Sequence, residues 1–156
     1  MLACTNKFVY IDFAMMHKHS KYCNCLYYSA NALARVLTKM AEEEFAITGL
    51  APSYAFLLMA ANDKPGIQPK EISEQMQLTA STVTRLIEKM EHRGFLERKS
   101  AGKFTKVYPT AKSKKLDKKI HAAWTSLYQR YSDLLGEELG KKLTAATYKA
   151  GQKLAA

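Results

Sequence analysis

The fold of this chain is decided by residues 69–109, which read PKEISEQMQLTASTVTRLIEKMEHRGFLERKSAGKFTKVYP. Pro69 suits the first position of a helix, and Ile72 and Met76 then lie four residues apart on one helical face. Residues 77–79 leave room only for a tight turn. This part of the sequence therefore predicts a short helix that ends in a turn.

A second helix follows the turn and also has one apolar face. Gly94 ends this helix, because glycine readily adopts the positive φ that follows a last helical turn. Residues 95–98 and 104–108 then alternate like the two arms of a β-hairpin whose tip is 100–103. The apolar residues that define the face of the second helix are Val83, Leu86, Ile87 and Met90.

Two helices joined at a sharp angle, with a polar outer face on the second, form a helix-turn-helix. The second helix of this motif fits the major groove of B-DNA, which is about 12 Å wide. The hairpin that follows makes the motif a winged one. We therefore expect a mainly α protein with a small β-hairpin wing (α+β), a winged helix-turn-helix with N- and C-terminal dimerisation helices. A purely structural core of small helices is the alternative at this point.

The charge of the chain is concentrated on this module. The whole sequence has a net charge of +10, and residues 64–119 hold 14 Lys or Arg against 6 Asp or Glu. A positive field on one module favours a polyanion as the partner, because each neutralised phosphate releases counterions. The helix after the wing also begins with five lysines, which suit a phosphate neighbour better than a helix N-terminus. A basic face kept only for solubility is the alternative.

Helical patterns flank the module on both sides. The length favours one domain, 1–156, with the winged helix at about 53–109 and dimerisation helices at about 17–45 and 111–154. These outer helices are too long for the small module to bury, so a homodimer is the economical interpretation. Three glutamates crowd the end of the first helix, where they suit either the N-terminal end of another helix or a basic group nearby. Residues 1–16 have no assigned role.

The compartment is predicted from hydropathy and cysteine usage. No apolar run reaches the roughly 18 residues that a membrane helix needs. Cys4, Cys23 and Cys25 are odd in number and too few for a disulfide framework, which favours a reducing compartment. We expect a cytoplasmic protein without a membrane partner.

The arrangement resembles the MarR family of bacterial winged-helix regulators from about residue 20 to the end. The runs that carry the resemblance are QPKEISEQM at 68–76 and TASTVTRLIEKMEHRGFLER at 79–98, similar to the family's helix-turn-helix and first wing strand. TAKS at 110–113 resembles the Thr-x-x-Gly that starts the family's next helix, with Ser113 in place of the Gly. The resemblance implies a dimeric repressor on a palindromic operator, with DNA affinity controlled by a small ligand or by cysteine oxidation.

The wing departs from the family pattern. The family usually carries an Asp-x-Arg element there, whereas this chain has the shorter tip SAGK at 100–103. Lys103 and Lys106 can replace the missing Arg as phosphate contacts. Lys is a point charge and reads groove shape less well than the planar fork of Arg. A minor-groove role for this wing is therefore left open.

Double-stranded DNA is the expected partner, and eight residues are predicted to contact it. Arg85 and the nearby hydroxyls should approach base edges, because Arg to guanine is the commonest specific contact. The lysines should mainly contact phosphates. A solvated surface residue is the alternative for Arg85. The predicted set is Ser81, Thr82, Thr84, Arg85, Lys89, Lys99, Lys103 and Lys106.

Two cysteines raise the possibility of redox chemistry. Cys23 and Cys25 lie where the family's organic-hydroperoxide sensors carry a reactive N-terminal Cys, so a thiol-based peroxide sensor that uses Cys25 is one alternative. Ala51 stands where those sensors have a Tyr, which favours buried or incidental cysteines. His17 and His19 complete a metal-like pattern, but helical side chains two residues apart point roughly 200° apart. No metal site is predicted.

A pocket for a small-molecule effector is expected where the first, second and post-wing helices meet the DNA-reading module, and plain core packing is the alternative. The sequence contains no catalytic constellation and no Gly-rich phosphate loop, so neither an enzyme nor a cofactor is expected. A helical protein-interaction module of the anti-repressor type, which has lost DNA binding, is the remaining functional alternative. The candidate ligand-binding residues are Tyr27, Tyr54, Phe56, Met59 and Trp124.

Overall fold

The computed structural model describes residues 20–102 and 104–155. Cys4, His17, His19, Lys103 and residues 1–16 therefore lie outside the described part. The described elements are α1 (Leu26–Phe45), a short 3-10 turn (Ala46–Thr48), α2 (Pro52–Asp63), α3 (Pro69–Met76), α4 (Ala80–His92), β1 (Leu96–Ala101), β2 (Phe104–Pro109), α5 (Ala111–Leu135) and α6 (Glu137–Leu154). This is the mainly α architecture with a two-stranded wing that the sequence predicts.

The chain divides into two compact units, residues 1–38 and 39–156. In the first unit the helical pattern predicts α1 from about residue 17, and this boundary is wrong for residues 20–25. They form turns instead, because the Cys23 amide donates to the Ser20 carbonyl at 3.0 Å and the Cys25 amide to the Tyr22 carbonyl at 2.9 Å. Helix α1 begins only at Leu26.

The core of the second unit is built around α2. Pro52 starts this helix at a position where its missing N–H costs nothing. The helix is apolar nearly all round, and Ala55, Leu57 and Leu58 are completely buried. A helix with this composition belongs in the interior. Helices α3, α4 and α5 and strand β2 pack against α2.

The helix-turn-helix forms as the sequence predicts. Helices α3 and α4 are joined by 77–79, and Gln77 adopts a left-handed conformation with φ 52° at the end of α3. Val83, Ile87 and Met90 of α4 are buried, and Leu86 is half-buried. The small apolar face therefore holds α4 against the core and leaves its other face in solvent.

The wing is an antiparallel hairpin whose register pairs Leu96 with Pro109 and Lys99 with Lys106. Ser100 and Ala101 belong to strand β1, so the predicted tip at 100–103 is too long. The β pairing extends farther because Ser100 and Thr105 are also paired. An isolated bridge between Ile67 and Val107 ties the wing to the loop before α3.

Helix α5 begins as predicted, with Thr110 as its cap: the Thr110 hydroxyl accepts a hydrogen bond from the Ser113 amide at 3.4 Å. Glu43 and Glu44 at the end of α1 form ion pairs with a basic residue of this helix. Arg130 lies 2.7 Å from Glu43 and 3.0 Å from Glu44. These ion pairs join the end of α1 to the middle of α5 within the second unit.

Several large apolar side chains on the outer helices face solvent. A helical stripe that stays exposed in one chain is typical of an interaction surface. Among the described residues of α1, α5 and α6, the exposed members are Leu26, Tyr27, Leu33, Val36, Leu37, Trp124, Tyr128, Leu134, Leu135, Leu139, Leu143, Tyr148 and Leu154.

Hydropathy singles out no individual membrane helix in residues 20–102 and 104–155. The segments Leu26–Thr48 and Pro52–Asp63 reach the required length and apolar composition only when they are taken together as a bent pair.

Candidate nucleic-acid interface

The outer face of α4 carries the residues predicted to read DNA. Ser81, Thr82, Thr84 and Arg85 are all exposed, on the side opposite Val83 and the rest of the buried stripe. A helix with one buried face and one short-chained polar face can lie in a major groove without steric obstruction. The structure therefore places these four predicted residues together on one accessible surface.

Local hydrogen bonds order the hydroxyl groups at the start of α4. Thr79 caps the helix: its hydroxyl accepts from the Thr82 amide at 3.3 Å and lies 2.8 Å from the Thr82 hydroxyl. The Thr84 hydroxyl donates to the Ala80 carbonyl at 2.9 Å. A hydroxyl that has donated its proton keeps two acceptor lone pairs. The exposed Thr84 hydroxyl can therefore still accept a hydrogen bond.

Arg85 brings a guanidinium to this face. Its side chain is exposed, and it forms no ion pair with a carboxylate in residues 20–102 and 104–155. A guanidinium without a carboxylate partner presents its full donor fork, which matches the two acceptors on the major-groove edge of guanine. The guanidinium of Arg85 is thus accessible on the outer face of α4.

Lys89 lies one turn farther along α4 and is held differently. Its ammonium group lies 5.4 Å from the centroid of the Tyr54 ring, at the range of a cation–π contact. The contact directs the lysine toward α2 and restricts its reach. Tyr54, a predicted ligand-binding residue, is therefore a support for this lysine in the structure.

The wing lysines lie side by side on the hairpin. Lys99 and Lys106 are directly opposite each other in the antiparallel register. Lys99 also lies 3.8 Å from Glu97 and 5.3 Å from the centroid of the Tyr108 ring. Like charges on opposed strand positions are unfavourable unless an anion lies between or beside them. Lys103, the third predicted wing contact, lies outside the described residues.

A guanidinium clasp that sequence reasoning missed connects the wing to α4. Arg98 of β1 donates through Nε to Glu91 Oε2 at 2.8 Å, and its Nη2 lies 2.7 Å from the same oxygen. The Arg98 amide donates to the other oxygen of Glu91 at 3.1 Å, and Nη1 lies 3.7 Å from Glu88. Side chain and backbone of one strand residue are thus fixed to the recognition helix.

The end of α4 is also fastened to the start of α5. The Thr110 hydroxyl donates to the Gly94 carbonyl at 2.8 Å, and Lys112 Nζ donates to the Arg93 carbonyl at 2.8 Å. The Lys112 ammonium also lies 4.3 Å from the centroid of the Phe95 ring. A lysine at this place satisfies a carbonyl that the helix end leaves without a partner.

The start of the helix-turn-helix is held by Glu71. Its carboxylate accepts from Lys64 Nζ at 2.8 Å and from the Gln68 amide at 3.1 Å. These two hydrogen bonds, the Lys64 contact first, hold the pKa of Glu71 below its usual value. Glu71 therefore remains an anion that fixes the loop between α2 and α3, and with it the position from which α4 is presented.

Three of the five predicted ligand-binding residues meet in one pocket. Phe56, Met59 and Trp124 line a cavity of about 440 Å³ between α2, α3 and α5. Tyr54 and Tyr27 are not among its lining residues, and Tyr27 belongs to the first unit. The remaining lining residues, which were not predicted from the sequence, are Ala60 and Asp63 of α2 and Gln75 and Met76 of α3.

The two described cysteines lie just before α1. Cys23 is half-buried and Cys25 is exposed, and both are free thiols. Within residues 20–102 and 104–155, no three His, Cys, Asp or Glu side chains come close enough together to share a metal ion.

Comparison with known proteins agrees with this geometry. Residues 51–101 match the sequence model of the MarR family. The uncharacterized HTH-type transcriptional regulator YybA of Bacillus subtilis is 29% identical over 87 residues. That alignment covers 54% of this chain and 58% of YybA, so the chain spans little more than half the length of this curated relative.

Two solved structures illustrate the similarity of fold. The MepR–DNA complex of S. aureus superposes with a TM-score of 0.68 at 16% identity, covering 86% of this chain and 99% of that one. CouR from Rhodococcus jostii RHA1 bound to p-coumaroyl-CoA gives a TM-score of 0.66 at 17% identity, covering 82% and 93%. At these identities the likeness concerns the fold alone.

The fold and the exposed recognition helix define the class of winged helix-turn-helix proteins. Residues 51–101, which hold α2 to β1, are similar to the MarR family of transcriptional regulators. The family resemblance that the sequence indicated is thereby confirmed.

Proposed function

We propose that this chain is a sequence-specific, DNA-binding transcriptional regulator that acts in the cytoplasm as a dimeric repressor on a palindromic operator. The observation that carries the proposal is the outer face of α4, where the exposed guanidinium of Arg85 lies among small hydroxyl side chains. The net charge of the module supports it, because a basic surface raises the local concentration of DNA. No catalytic role is part of the proposal.

The test is to select an operator from DNA of random sequence with the protein itself. Duplexes are selected from a random-sequence pool with the wild-type protein, and the enriched duplex is titrated beside a scrambled one at about 150 mM salt, since affinities depend steeply on salt. We expect a preference of roughly a thousandfold or more. Arg85→Ala should lose about 1–3 kcal/mol on the selected duplex and much less on the scrambled one.

Arg35→Ala is the matched control for this experiment. Arg35 is an exposed arginine of α1, in the first unit, so its loss changes the net charge by the same amount without touching α4. If both variants bind like the wild type, Arg85 is a solvated surface residue and the assignment fails. Equal weak binding of the wild type to both duplexes would favour the protein-interaction module instead.

The homodimer is supported by the exposed apolar side chains of α1, α5 and α6. Between α5 and α6 an aromatic cleft of about 660 Å³ is lined by Trp124, Tyr128, Tyr131 and Tyr148, among others. An open cleft of this size and composition is suited to burial against a second copy of the chain. Dimers also match palindromic operators, whose half-sites lie about 34 Å apart. In sedimentation experiments the wild type should be a dimer and Leu143→Glu should be a monomer.

We also propose that a small molecule modulates DNA affinity through the pocket of Phe56, Met59 and Trp124. The pocket joins α2 and α5 to Gln75 at the end of α3, so an occupant would contact the helix that precedes the recognition helix. Asp63 is the only charged residue among its lining residues, which favours cationic or hydrogen-bond-donating ligands. An apolar cavity with few polar groups is the usual form of such a site.

Trp124 makes the effector proposal directly measurable. It is the only tryptophan of the chain, so tryptophan fluorescence comes from this residue alone, and experiments at a fixed protein concentration keep the state of the α5–α6 cleft constant. Cationic, neutral and acidic aromatic compounds are titrated against the wild type and Asp63→Asn. Binding of cations that weakens in Asp63→Asn supports the assignment. A compound series that changes neither the fluorescence nor the DNA affinity contradicts it.

Control by oxidation is the second regulatory candidate, favoured by the exposure of the Cys25 thiol. The experiment is DNA binding before and after treatment with an organic hydroperoxide, for the wild type, Cys25→Ser and Cys23→Ser. Release of DNA that is abolished only in Cys25→Ser supports a peroxide sensor. Release that is unaffected by both substitutions excludes these two thiols.

A further inference from the structure

Four lysines on the first turns of α5 form a single surface, which we call the α5 lysine face. All four are exposed. At 3.6 residues per turn they fall within an arc of about 140° on the helix. The opposite side of the same turns carries Ser113, Ile120 and Ala123, which are completely buried. Core packing therefore turns the face outward. Its members are Lys114, Lys115, Lys118 and Lys119.

No carboxylate balances this face in the part of the chain that the structure describes. None of the four ammonium groups forms an ion pair, whereas Lys141 and Lys142 of α6 each pair with a glutamate four residues earlier. Asp117 is directed elsewhere, since it accepts a hydrogen bond from Asn62 Nδ2 at 2.7 Å.

The charge arrangement is unfavourable for the isolated helix. The first turn of α5 contains no acidic residue, so the lysines oppose the positive end of the helix dipole. Lys114 and Lys118, like Lys115 and Lys119, are also four residues apart, where like charges repel. An external anion beside the face would remove both penalties.

The face is continuous with the end of the recognition helix. Lys112, one turn before Lys115, donates to the Arg93 carbonyl at 2.8 Å at the C-terminal end of α4. The 13 residues of α4 span about 20 Å, while the major groove is about 12 Å wide. In a helix-turn-helix the N-terminal residues of the second helix contact the base edges, so the C-terminal end of α4 is expected nearer the phosphate backbone. Helix α5 starts at the C-terminal end and carries positive charge outward from it.

We propose that the α5 lysine face contacts the phosphates of duplex DNA that flanks the segment read by α4, an inference that rests on the proposed function. From Lys114 to Lys119 the helix rises about 7.5 Å. Over the same length a duplex carries about four phosphates, at one charge per about 1.7 Å. Lysine is a flexible point charge without the fork of arginine, so it suits phosphates of any sequence.

The experiment compares two double variants with equal loss of charge. Lys115→Gln/Lys119→Gln removes half of the face, and Lys149→Gln/Lys153→Gln removes two exposed lysines with the same spacing on α6. Each protein is titrated on the duplex selected by the wild type, first trimmed to the shortest form that keeps its affinity, then extended by about one helical turn of ~10 bp at each end. Thermal unfolding of both variants checks that they fold.

The wild type should bind the extended duplex more tightly than the short one. Lys115→Gln/Lys119→Gln should abolish that gain, on the order of tenfold, and its salt slope should fall by about 0.9 for each phosphate that the variant no longer neutralises. Its affinity for the short duplex should be nearly unchanged. The α6 variant should behave like the wild type throughout. Equal losses of affinity in both variants, or no loss in either, overturn the proposal.

Failure of the proposed function is recognised separately, because the selection then enriches no sequence. In that case the wild type and both variants are compared in the same way on random-sequence duplexes. A weaker affinity and a smaller salt slope only in Lys115→Gln/Lys119→Gln would still support a phosphate-binding face on α5. Equal binding by the wild type and both variants would overturn it.

Discussion

Arg98 and Glu91 join the wing to the recognition helix through both side-chain and backbone hydrogen bonds. The Glu91 carboxylate accepts from Arg98 Nε at 2.8 Å and, through its other oxygen, from the Arg98 amide at 3.1 Å. The two residues are seven apart in sequence and lie on either side of the turn at Gly94. A movement of the hairpin relative to α4 would therefore break these hydrogen bonds between Arg98 and Glu91.

Replacing Glu91 by Gln should therefore loosen the wing without unfolding the protein. The amide can accept from only one side, so at least one hydrogen bond to Arg98 is broken, which costs about 1 kcal/mol. If the wing contributes to DNA binding, the affinity should fall about fivefold. Glu97→Gln, a neighbouring exposed glutamate that lies 3.8 Å from Lys99, is the control. Anisotropy titration of both variants on one duplex tests the prediction, and equal affinities would contradict it.

Gly66 and Gly94 should respond differently to alanine, although both have positive φ, 87° and 73°. A Cβ on Gly94 meets nothing within 4 Å, so Gly94→Ala should cost only the left-handed backbone, about 1–2 kcal/mol. A Cβ on Gly66 would lie 3.1–3.2 Å from the Tyr108 ring. Overpacking adds about 1–3 kcal/mol, so Gly66→Ala should be clearly the less stable variant.

Urea unfolding of the two glycine variants and the wild type measures this difference. Gly66→Ala/Tyr108→Leu serves as the matched test, because it removes the ring and keeps the backbone strain. Its additional cost relative to Tyr108→Leu alone should approach that of Gly94→Ala. Identical destabilisation by the two single alanine substitutions would show that the Tyr108 ring moves aside freely.

The elements near the DNA were predictable because they depend on local patterns. The spacing of Val83, Ile87 and Met90 sets the buried face of α4, and a tight turn with Gly94 sets where that helix ends. The clasp of Arg98 to Glu91 was not predictable, because it depends on how the chain turns at Gly94 and on the register of the hairpin. Neither the course of that turn nor the register of the hairpin can be derived from the spacing of residues along the sequence.

The pocket and the start of α1 show a similar limit. Phe56 and Trp124 were found as candidates because aromatic residues are conspicuous, but Gln75 of α3 joins them only through the packing of α3 against α2 and α5. The helical pattern placed the beginning of α1 too early, since nothing in it distinguishes the turns at 20–25 from a first helical turn. Tertiary contacts and local amide bonds decide such boundaries.

Acid should destabilise the protein partly through Glu44. Hydrogen bonds from Ser126 and then from Arg130 lower the pKa of Glu44 below its ordinary value of 4.5. A carboxyl with a lowered folded-state pKa stabilises the fold above its ordinary pKa, and this contribution disappears as the pH falls through the folded value. Arg130→Gln keeps the Ser126 hydrogen bond but lacks the Arg130 part of that contribution at neutral pH, so its stability should depend less on pH.

Urea unfolding of the wild type and Arg130→Gln at neutral pH and at about pH 3 tests this linkage. The two proteins should differ most at neutral pH and converge in acid. Glu71 and Glu137 also have lowered pKa values, so the variant should keep some sensitivity to acid. Arg35→Gln is the control for loss of an arginine. A constant difference between wild type and Arg130→Gln at both pH values would contradict the prediction.

Lys106 should have opposite effects on the stability of the wing and on DNA binding. It lies directly across the hairpin from Lys99, where like charges repel, so Lys106→Gln should stabilise the protein by about 0.2–1 kcal/mol. The same substitution removes a predicted phosphate-binding group, so it should weaken binding to all sequences alike and reduce the salt slope by about 0.9 per protomer.

Thermal unfolding and salt-dependent titrations measure the two effects on one preparation. Lys149→Gln on α6, which carries the same charge change, should alter neither quantity. A Lys106→Gln variant that is less stable and binds DNA normally would show that this lysine supports the hairpin and does not face DNA.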